Sequence, residues 1–177
     1  MIIIGIGNVL QKDDGIGVYA ASYLTLNYHF TPDVTIINGG VEGINLFNYF
    51  LENEEIVILD SIELDDTPAS IYAIPAKELS GYGLNSGGAH EIGVIQCLDM
   101  LELQGRVVPE TMLIGIVPHH ITFDISLSKT LKDAFEGYIS VVLQYLQQKG
   151  ITVQKKESLV TLEEIIKRAN DPQGVMI

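Results

Sequence analysis

Cysteine is almost absent from this sequence, since Cys97 is the single one among 177 residues. One cysteine cannot form a disulfide framework or a metal site built from several thiolates. It lies in an apolar, helix-like pattern, and we interpret it as a small side chain of the core. A chain without disulfides is typical of a reducing compartment, so we expect the protein to be cytoplasmic.

Basic residues are also scarce: 10 lysines and arginines stand against 23 aspartates and glutamates, which gives a formal net charge of -13. Nucleic acids and anionic membranes both bind basic surfaces, so we expect neither as a partner. No apolar run approaches the roughly 20 residues of a membrane span, and we expect no signal peptide. Hydrophobic residues nevertheless make up 47% of the chain, which is enough for a folded core.

The opening stretch, residues 1–17, combines a strand, a glycine turn and the start of a helix. Residues 1–4 form an apolar run that is typical of a strand buried on both faces. The run breaks at Gly5 and Gly7, and the adjacent carboxylates Asp13 and Asp14 then stand at the start of an apolar, helix-like segment. Open α/β folds bind their ligands at this place, the carboxyl end of a parallel strand.

The sequence matches neither of two common nucleotide-binding motifs. Gly5 and Gly7 fit the first two glycines of the dinucleotide fingerprint, but its third glycine position is Leu10. The second predicted strand also leads into Asn38 and two glycines rather than into an acidic residue that could bind a ribose. A Walker loop is excluded because no Gly-Lys-Ser or Gly-Lys-Thr occurs in the chain. Nucleotide binding is therefore disfavoured.

Strand and helix patterns alternate along most of the chain. Strands are predicted over about residues 1–6 and over residues 33–38, 56–60, 70–74 and 111–117. Helices are predicted over residues 15–30, 43–53, 89–103 and 126–149. This alternation predicts a three-layer α/β/α fold around a mostly parallel, twisted sheet of five strands, with residues 70–74 as an antiparallel edge. We expect a single domain over residues 1–150, followed by an extension over 151–177 whose short helix begins at a capping box, Thr161 to Glu164.

Three polar side chains are expected to meet at the carboxyl edge of this sheet, because right-handed crossovers bring all strand-to-helix loops to one edge. Asp14 lies in the first loop, Asp60 ends the third strand, and His90 follows a glycine-rich stretch, residues 81–88. Two carboxylates and one imidazole suit a first-row divalent ion with open coordination positions. Such an ion could polarise a carbonyl or position an attacking water.

Each of these side chains also has a simpler interpretation. Asp13 and Asp14 could cap the helix that follows them, since aspartate is favoured at helix amino termini. Asp60 could cap a neighbouring loop, although a buried carboxylate without a partner would cost several kcal/mol. His90 could be a structural or solvated side chain.

Other candidates for the site have weaker support. His119 and His120 follow the last strand and could join the site, but nothing in their spacing requires it. The Gly-x-Ser-x-Gly motif of serine hydrolases is missing, and Ser61 and Ser86 have no base at a matching spacing. A catalytic serine is therefore not expected.

Five short motifs resemble the nickel-iron hydrogenase maturation endopeptidases, in the order and spacing of that family over about residues 1–148. They are Gly5-x-Gly7-Asn8-x-Leu10-x-x-Asp13-Asp14-Gly15-x-Gly17, Gly39-Gly40, Leu59-Asp60-Ser61-Ile62, His90-Glu91-Ile92-Gly93 and Gly115-Ile116-Val117-Pro118. The resemblance implies an endopeptidase that removes the carboxyl-terminal extension of a hydrogenase large-subunit precursor after nickel has been inserted.

The resemblance also implies roles for individual residues. The nickel-recognising acidic residue of the family falls on Asp14, where many relatives have glutamate, and the second carboxylate and the histidine fall on Asp60 and His90. We expect these three residues to be catalytic and to contact the nickel of the precursor. The expected substrate-binding glycines, which flank the cleft, are Gly39, Gly40 and Gly88.

Three ligands without a thiolate or a second histidine make a weak metal site. No tightly bound cofactor is therefore expected beyond the nickel of the substrate, although other divalent ions could occupy the site. Two alternatives remain open: a non-catalytic, nickel-sensing chaperone of the large subunit, and a small-molecule hydrolase on the same fold.

Overall fold

The computed structural model describes residues 1–78 and 89–171, with side chains described over 1–78 and 93–171. The strands of the described chain are β1 (Ile2–Ile6), β2 (Tyr28–Thr31), β3 (Thr35–Gly40), β4 (Glu55–Ser61), β5 (Ile71–Pro75), β6 (Glu110–Ile116) and β7 (Thr152–Lys155). Five of them form one sheet in the order β3-β1-β4-β6-β5. Neighbours in this sheet run parallel except β5, which is antiparallel to β6 at one edge. The predicted edge strand is confirmed.

Helices cover both faces of the sheet. They are α1 (Ile16–Asn27), α2 (Phe47–Glu52), α3 (Ala89–Leu103), α4 (Lys129–Gln148) and α5 (Leu162–Asn170). Successive residues of a strand point to opposite faces, so Ile3 packs in one core with α1, α4 and α5, while Ile4 packs in the other with α2 and α3. The continuous apolar runs of the central strands follow from this double burial. The predicted three-layer α/β/α fold is confirmed.

Cys97 on α3 is fully buried, as predicted. Burial raises the pKa of its thiol to about 11. The side chain is therefore a protonated, apolar part of the core at neutral pH.

The helix predicted over residues 15–30 is too long, because α1 ends at Asn27. The next four residues form β2, which pairs antiparallel with β7 near the other end of the chain. Asn27 is fully buried, and its side-chain amide donates to the carbonyl of Val160 at 2.9 Å and accepts from the Val160 N–H at 2.6 Å. These two hydrogen bonds hold the end of α1 against the chain that follows β7.

Gly39 and Gly40 follow the second predicted strand, residues 33–38, but in the structure they are the last two residues of β3. The register of β1 against β3 shifts here, so that Ile6 lies opposite Gly40. Gly40 has a φ of +48°, a conformation that favours glycine. The strand therefore continues to the carboxyl edge of the sheet before the chain turns.

Residues beyond 150 contribute to the same core as α1. The short helix of the extension is α5, and Thr161 and Glu164 form the predicted capping box at its start. Leu162, Ile165 and Ile166 are buried in that core. The division of the chain at residue 150 stays a prediction, and residues 172–177 lie outside the described part. Among the described helices, none is both long and apolar enough to cross a membrane.

Candidate functional site

Asp14 and Asp60 lie at the carboxyl edge of the sheet and are joined through Ser61. The hydroxyl of Ser61 donates to Oδ1 of Asp14 at 3.1 Å, and its backbone N–H donates to Oδ1 of Asp60 at 2.8 Å. Asp60 is fully buried, and Asp14 is 8% exposed. The structure thus brings together two of the three predicted ligands, while their catalytic and metal-binding roles stay predictions.

The glycines of the opening stretch place Asp14 against the sheet. Gly7 has a φ of +128°, and a Cβ atom at this position would lie 1.9 Å from the carbonyl oxygen of Asp14. A Cβ atom at Gly17 would lie 2.0 Å from the carbonyl oxygen of Leu59, in the neighbouring strand β4. The N–H of Asn8 donates to the second carboxylate oxygen of Asp14 at 2.8 Å. The spaced glycines therefore allow α1 to start in direct contact with β1 and β4.

Asp13 holds the loop between β6 and α4. One of its oxygens accepts the N–H groups of His119 and His120, at 3.0 and 2.8 Å, and the other accepts the N–H of Ser128 at 2.6 Å. No side chain caps the turn or the helix that starts next to Asp13 and Asp14. The interpretation of these two aspartates as caps of their own helix is therefore wrong. Asp13 is instead a structural clamp between distant parts of the chain.

His119 and His120 lie at the same edge but have side chains exposed to solvent. Their rings stack with centroids 3.8 Å apart, and Nδ1 of His119 is 3.0 Å from the hydroxyl of Thr130. Over residues 1–78 and 93–171, histidine, cysteine and acidic side chains form no group of three that could hold a metal ion. Neither histidine therefore completes such a group with Asp14 and Asp60.

Of the remaining predicted site residues, two have side chains or positions outside the described part of the structure, and two lie beside the first loop. His90 is the second residue of α3, but its side chain lies outside the described part of the structure, and so does Gly88. Gly40 lies beside the first loop, since its carbonyl accepts the N–H of Gly7 at 2.9 Å. Gly39 packs on the sheet, where an added Cβ would lie 2.8 Å from Ile4. The glycine pair is thus next to the loop that carries Asp14.

Tyr138 lies beneath this edge and is fully buried. Its hydroxyl donates to the carbonyl of Ile114 at 2.7 Å and lies 3.4 Å from the carbonyl of Asp60. Burial raises the pKa of Tyr138 well above its usual value, and the charge of Asp60 raises it further. The hydroxyl therefore remains protonated and supports the ends of β4 and β6 as a hydrogen-bond donor.

Tyr19 and Tyr138 should respond oppositely when their hydroxyl groups are removed. The hydroxyl of Tyr19 is buried with no hydrogen-bond partner among the described residues, and burial raises its pKa to about 12. We expect Tyr19→Phe to raise the free energy of unfolding by about 1 kcal/mol, and Tyr138→Phe to lower it by about 1 kcal/mol. Urea unfolding of both variants measures this. Equal destabilisation by the two changes would contradict it.

Exposed apolar side chains border the loop that carries Asp14. Leu10 is 44% exposed and Phe123 is 85% exposed. Their loops pair through Asp124, whose N–H donates to Leu10 at 3.0 Å and whose carbonyl accepts from Lys12 at 2.8 Å. Leu10 and Phe123 therefore stand on two loops that are hydrogen-bonded to each other.

Two sets of hydrogen bonds at this edge are not predicted from the sequence. Ser61 follows Asp60 directly and links the two carboxylates, whereas the sequence motifs bear only on whether it is a nucleophile. The presence of a hydroxyl next to a strand-ending aspartate was the available signal. The clamp by Asp13 had no local signal, because its partners come from a loop more distant in the chain.

A family model and individual relatives with similar sequences point to the same group of proteins. Residues 18–145 match a family model described as hydrogenase maturation protease. The hydrogenase expression/formation protein HupD of Bradyrhizobium diazoefficiens is 28% identical over 174 residues, which cover 97% of this chain and 90% of that protein. The hydrogenase 2 maturation protease of Escherichia coli is 24% identical over 160 residues, which cover 90% of this chain and 98% of that protein.

Solved structures with the same fold carry related names. The hydrogenase maturating endopeptidase HybD of Escherichia coli superposes with a TM-score of 0.80 at 24% identity, covering 88% of this chain and 96% of that one. The nickel-iron hydrogenase maturation protease HybD of Thermococcus kodakarensis gives a TM-score of 0.66 at 27% identity, covering 81% of this chain and 97% of that one. The predicted fold and the predicted family resemblance are both confirmed.

Proposed function

Because the chain belongs to the hydrogenase maturation protease family, we propose that it is the endopeptidase that removes the carboxyl-terminal extension of a nickel-loaded hydrogenase large-subunit precursor. Membership of this family makes the protein a hydrolase, as predicted. The partner is then the large-subunit precursor, and the nickel is part of the substrate rather than a cofactor of the protease.

The observation that carries this proposal is the pair of carboxylates joined through Ser61. Asp14 and Asp60 are each bound by the same residue, at 3.1 and 2.8 Å, so their positions relative to one another are fixed by a single side chain and its backbone. Carboxylate oxygens are suitable ligands for a divalent first-row ion. In our proposal the nickel of the precursor is bound by Asp14 and Asp60 together with His90.

The expected chemistry follows from this arrangement. Binding of the nickel would hold the nearby peptide bond of the precursor against the carboxyl edge of the sheet, which is the positioning that favours hydrolysis. Attack then comes from a water molecule polarised by the substrate's nickel or by one of the carboxylates. Ser61 acts as a positioning residue, since its hydroxyl and N–H are already used to hold the two carboxylates.

Asp14 has a shorter side chain than the glutamate that many relatives have at this position. Both of its carboxylate oxygens accept a hydrogen bond. Asn8 donates its N–H to one oxygen, and Ser61 donates its hydroxyl to the other. A carboxylate held in this way loses little additional freedom when it binds an ion. We propose that this fixed orientation compensates for the missing methylene.

The described surroundings of the carboxylates suit a protein substrate. Leu10 and Phe123 project into solvent next to the first loop, where they could contact a folded partner. A small-molecule hydrolase would instead need an enclosing, largely apolar pocket around its carboxylates.

Cleavage of nickel-loaded and nickel-free precursor by the purified protein tests the proposal. We expect mass spectrometry to show loss of the extension from the nickel-loaded precursor only, because nickel supplies the recognition element. A precursor made without the extension serves as the control for non-specific proteolysis. Binding of the loaded precursor without shortening would favour a nickel-sensing chaperone, and equal cleavage without nickel would contradict recognition of the metal.

A further inference from the structure

Strand β3 is an edge strand whose outer side has no partner strand in the described structure. Its inner side pairs with β1 over residues 35–38, and it stands first in the order of the sheet. The outward N–H and C=O groups of an edge strand can pair with another extended chain. At the opposite edge, Pro75 removes one such donor from β5. The outer side of β3 is therefore the better edge for strand addition.

Two adjoining grooves lie beside β3. One has a volume of about 210 Å³ and is lined by β2 and the amino end of β3. The other has a volume of about 250 Å³ and lies between α1 and residues 36–38. Thr25 and Ile36 line both grooves, so together the grooves follow the strand from Val34 to Asn38. They offer space for the side chains of a peptide on this side of the strand.

The path beside β3 leads to the carboxylates. At the end of the strand, the carbonyl of Gly40 accepts the N–H of Gly7, and the next residue, Asn8, donates its N–H to Asp14. A strand added outside β3 would lie two strand spacings, about 10 Å, from β1. A chain of about three extended residues covers that distance. A peptide bound along β3 can therefore continue directly to the edge where Asp14 and Asp60 meet.

From these observations we propose that the carboxyl-terminal extension of the precursor binds as an added β-strand on the outer side of β3, over residues 35–38. This inference rests on the proposed function, because it assigns a binding site to the segment that is removed. Main-chain hydrogen bonds supply affinity in strand addition, and alternate side chains enter the grooves and supply selectivity. The nickel then selects the loaded precursor, while β3 aligns its extension.

Hydrogen exchange is the first test, with the inactive variant Asp60→Asn and the nickel-loaded precursor at a concentration that saturates binding, so that the complex forms and is not consumed. We expect exchange of the outward-pointing backbone amides within residues 35–38 to slow by about tenfold or more, because an added strand protects them, while residues 71–74 of β5 do not change. Unchanged exchange in residues 35–38 of a bound complex would overturn the inference. Protection of these amides by a second copy of the protease alone, in a concentration-dependent manner, would also overturn it.

Filling the groove is the second test. Ser22 lines the groove between α1 and β3, and Ser140 is an exposed serine on α4 that serves as the matched control. We expect Ser22→Trp to raise KM for the precursor by about tenfold with little change in kcat, and Ser140→Trp to behave as the wild type. Cleavage by Ser22→Trp at the wild-type KM would overturn the inference.

The two tests separate this inference from the proposed function. If the wild-type protein cleaves the loaded precursor and Ser22→Trp does so equally well, only the assignment of β3 fails. If the wild-type protein does not cleave the precursor, the proposed function itself fails. Should Ser22→Trp not fold, the exchange experiment decides the question without that substitution.

Discussion

Substitution of Asp60 by asparagine is expected to lower kcat/KM for precursor cleavage by about 10²- to 10⁴-fold. Metal-assisted stabilisation of developing charge contributes several kcal/mol to such reactions, and each 1.4 kcal/mol is a factor of ten in rate. Asparagine keeps the size of the side chain and an oxygen that can accept the N–H of Ser61, but it removes the charge that would bind the nickel in the proposed mechanism. The effect should therefore appear in activity far more than in stability.

The companion variants are Asp14→Asn and His90→Ala, for which we expect losses in the same range. Asp65→Asn is the matched control, because Asp65 is an exposed aspartate only five residues beyond Asp60. Rates are measured by mass spectrometry of the nickel-loaded precursor, and circular dichroism shows whether each variant is folded. Full activity in any two of the three variants would contradict the assignment of the site.

Much of this site could be predicted because its residues stand at the ends of recognisable elements. An apolar run that stops at Asp60 indicates a strand end, and the glycines before Asp14 indicate a tight turn into a helix. Parallel topology then brings both carboxylates to one edge. The hydrogen bonds of Ser61 could not be predicted in this way, since they depend on how close two separate loops approach.

The fold could be predicted where the sequence pattern is local. It could not be predicted where an element depends on a partner that is distant in the chain. The strands of the main sheet are short apolar runs, and α4 carries an apolar face along its whole length. By contrast, β2 follows α1 without a break, and its partner β7 comes near the end of the described chain. Tyr28 and Phe30 are buried while the residues that follow each of them are exposed. This alternation indicates a strand only when its partner strand is known.

The clamp formed by Asp13 should have the largest effect on stability of any single side chain discussed above. Asp13 is fully buried and accepts three backbone N–H groups, from His119, His120 and Ser128. We expect Asp13→Ala to lower the free energy of unfolding by about 3–5 kcal/mol, because the buried N–H of Ser128 and the part-buried N–H groups of His119 and His120 lose their acceptor. A fully buried donor without an acceptor costs about 1–3 kcal/mol, and the part-buried donors cost less because water reaches them. Asp13→Asn keeps one oxygen as an acceptor, and its loss should be roughly half as large.

Urea unfolding at neutral pH measures both losses, and Asp124→Ala provides the control. Asp124 pairs with Lys12 at 3.4 Å but is 48% exposed, so its removal should change the free energy of unfolding by about 1 kcal/mol or less. The difference between the two aspartates follows from burial and from the number of donors each one satisfies. A loss below about 1 kcal/mol for Asp13→Ala would mean that the amides of residues 119, 120 and 128 find water instead, and the clamp would then be dispensable.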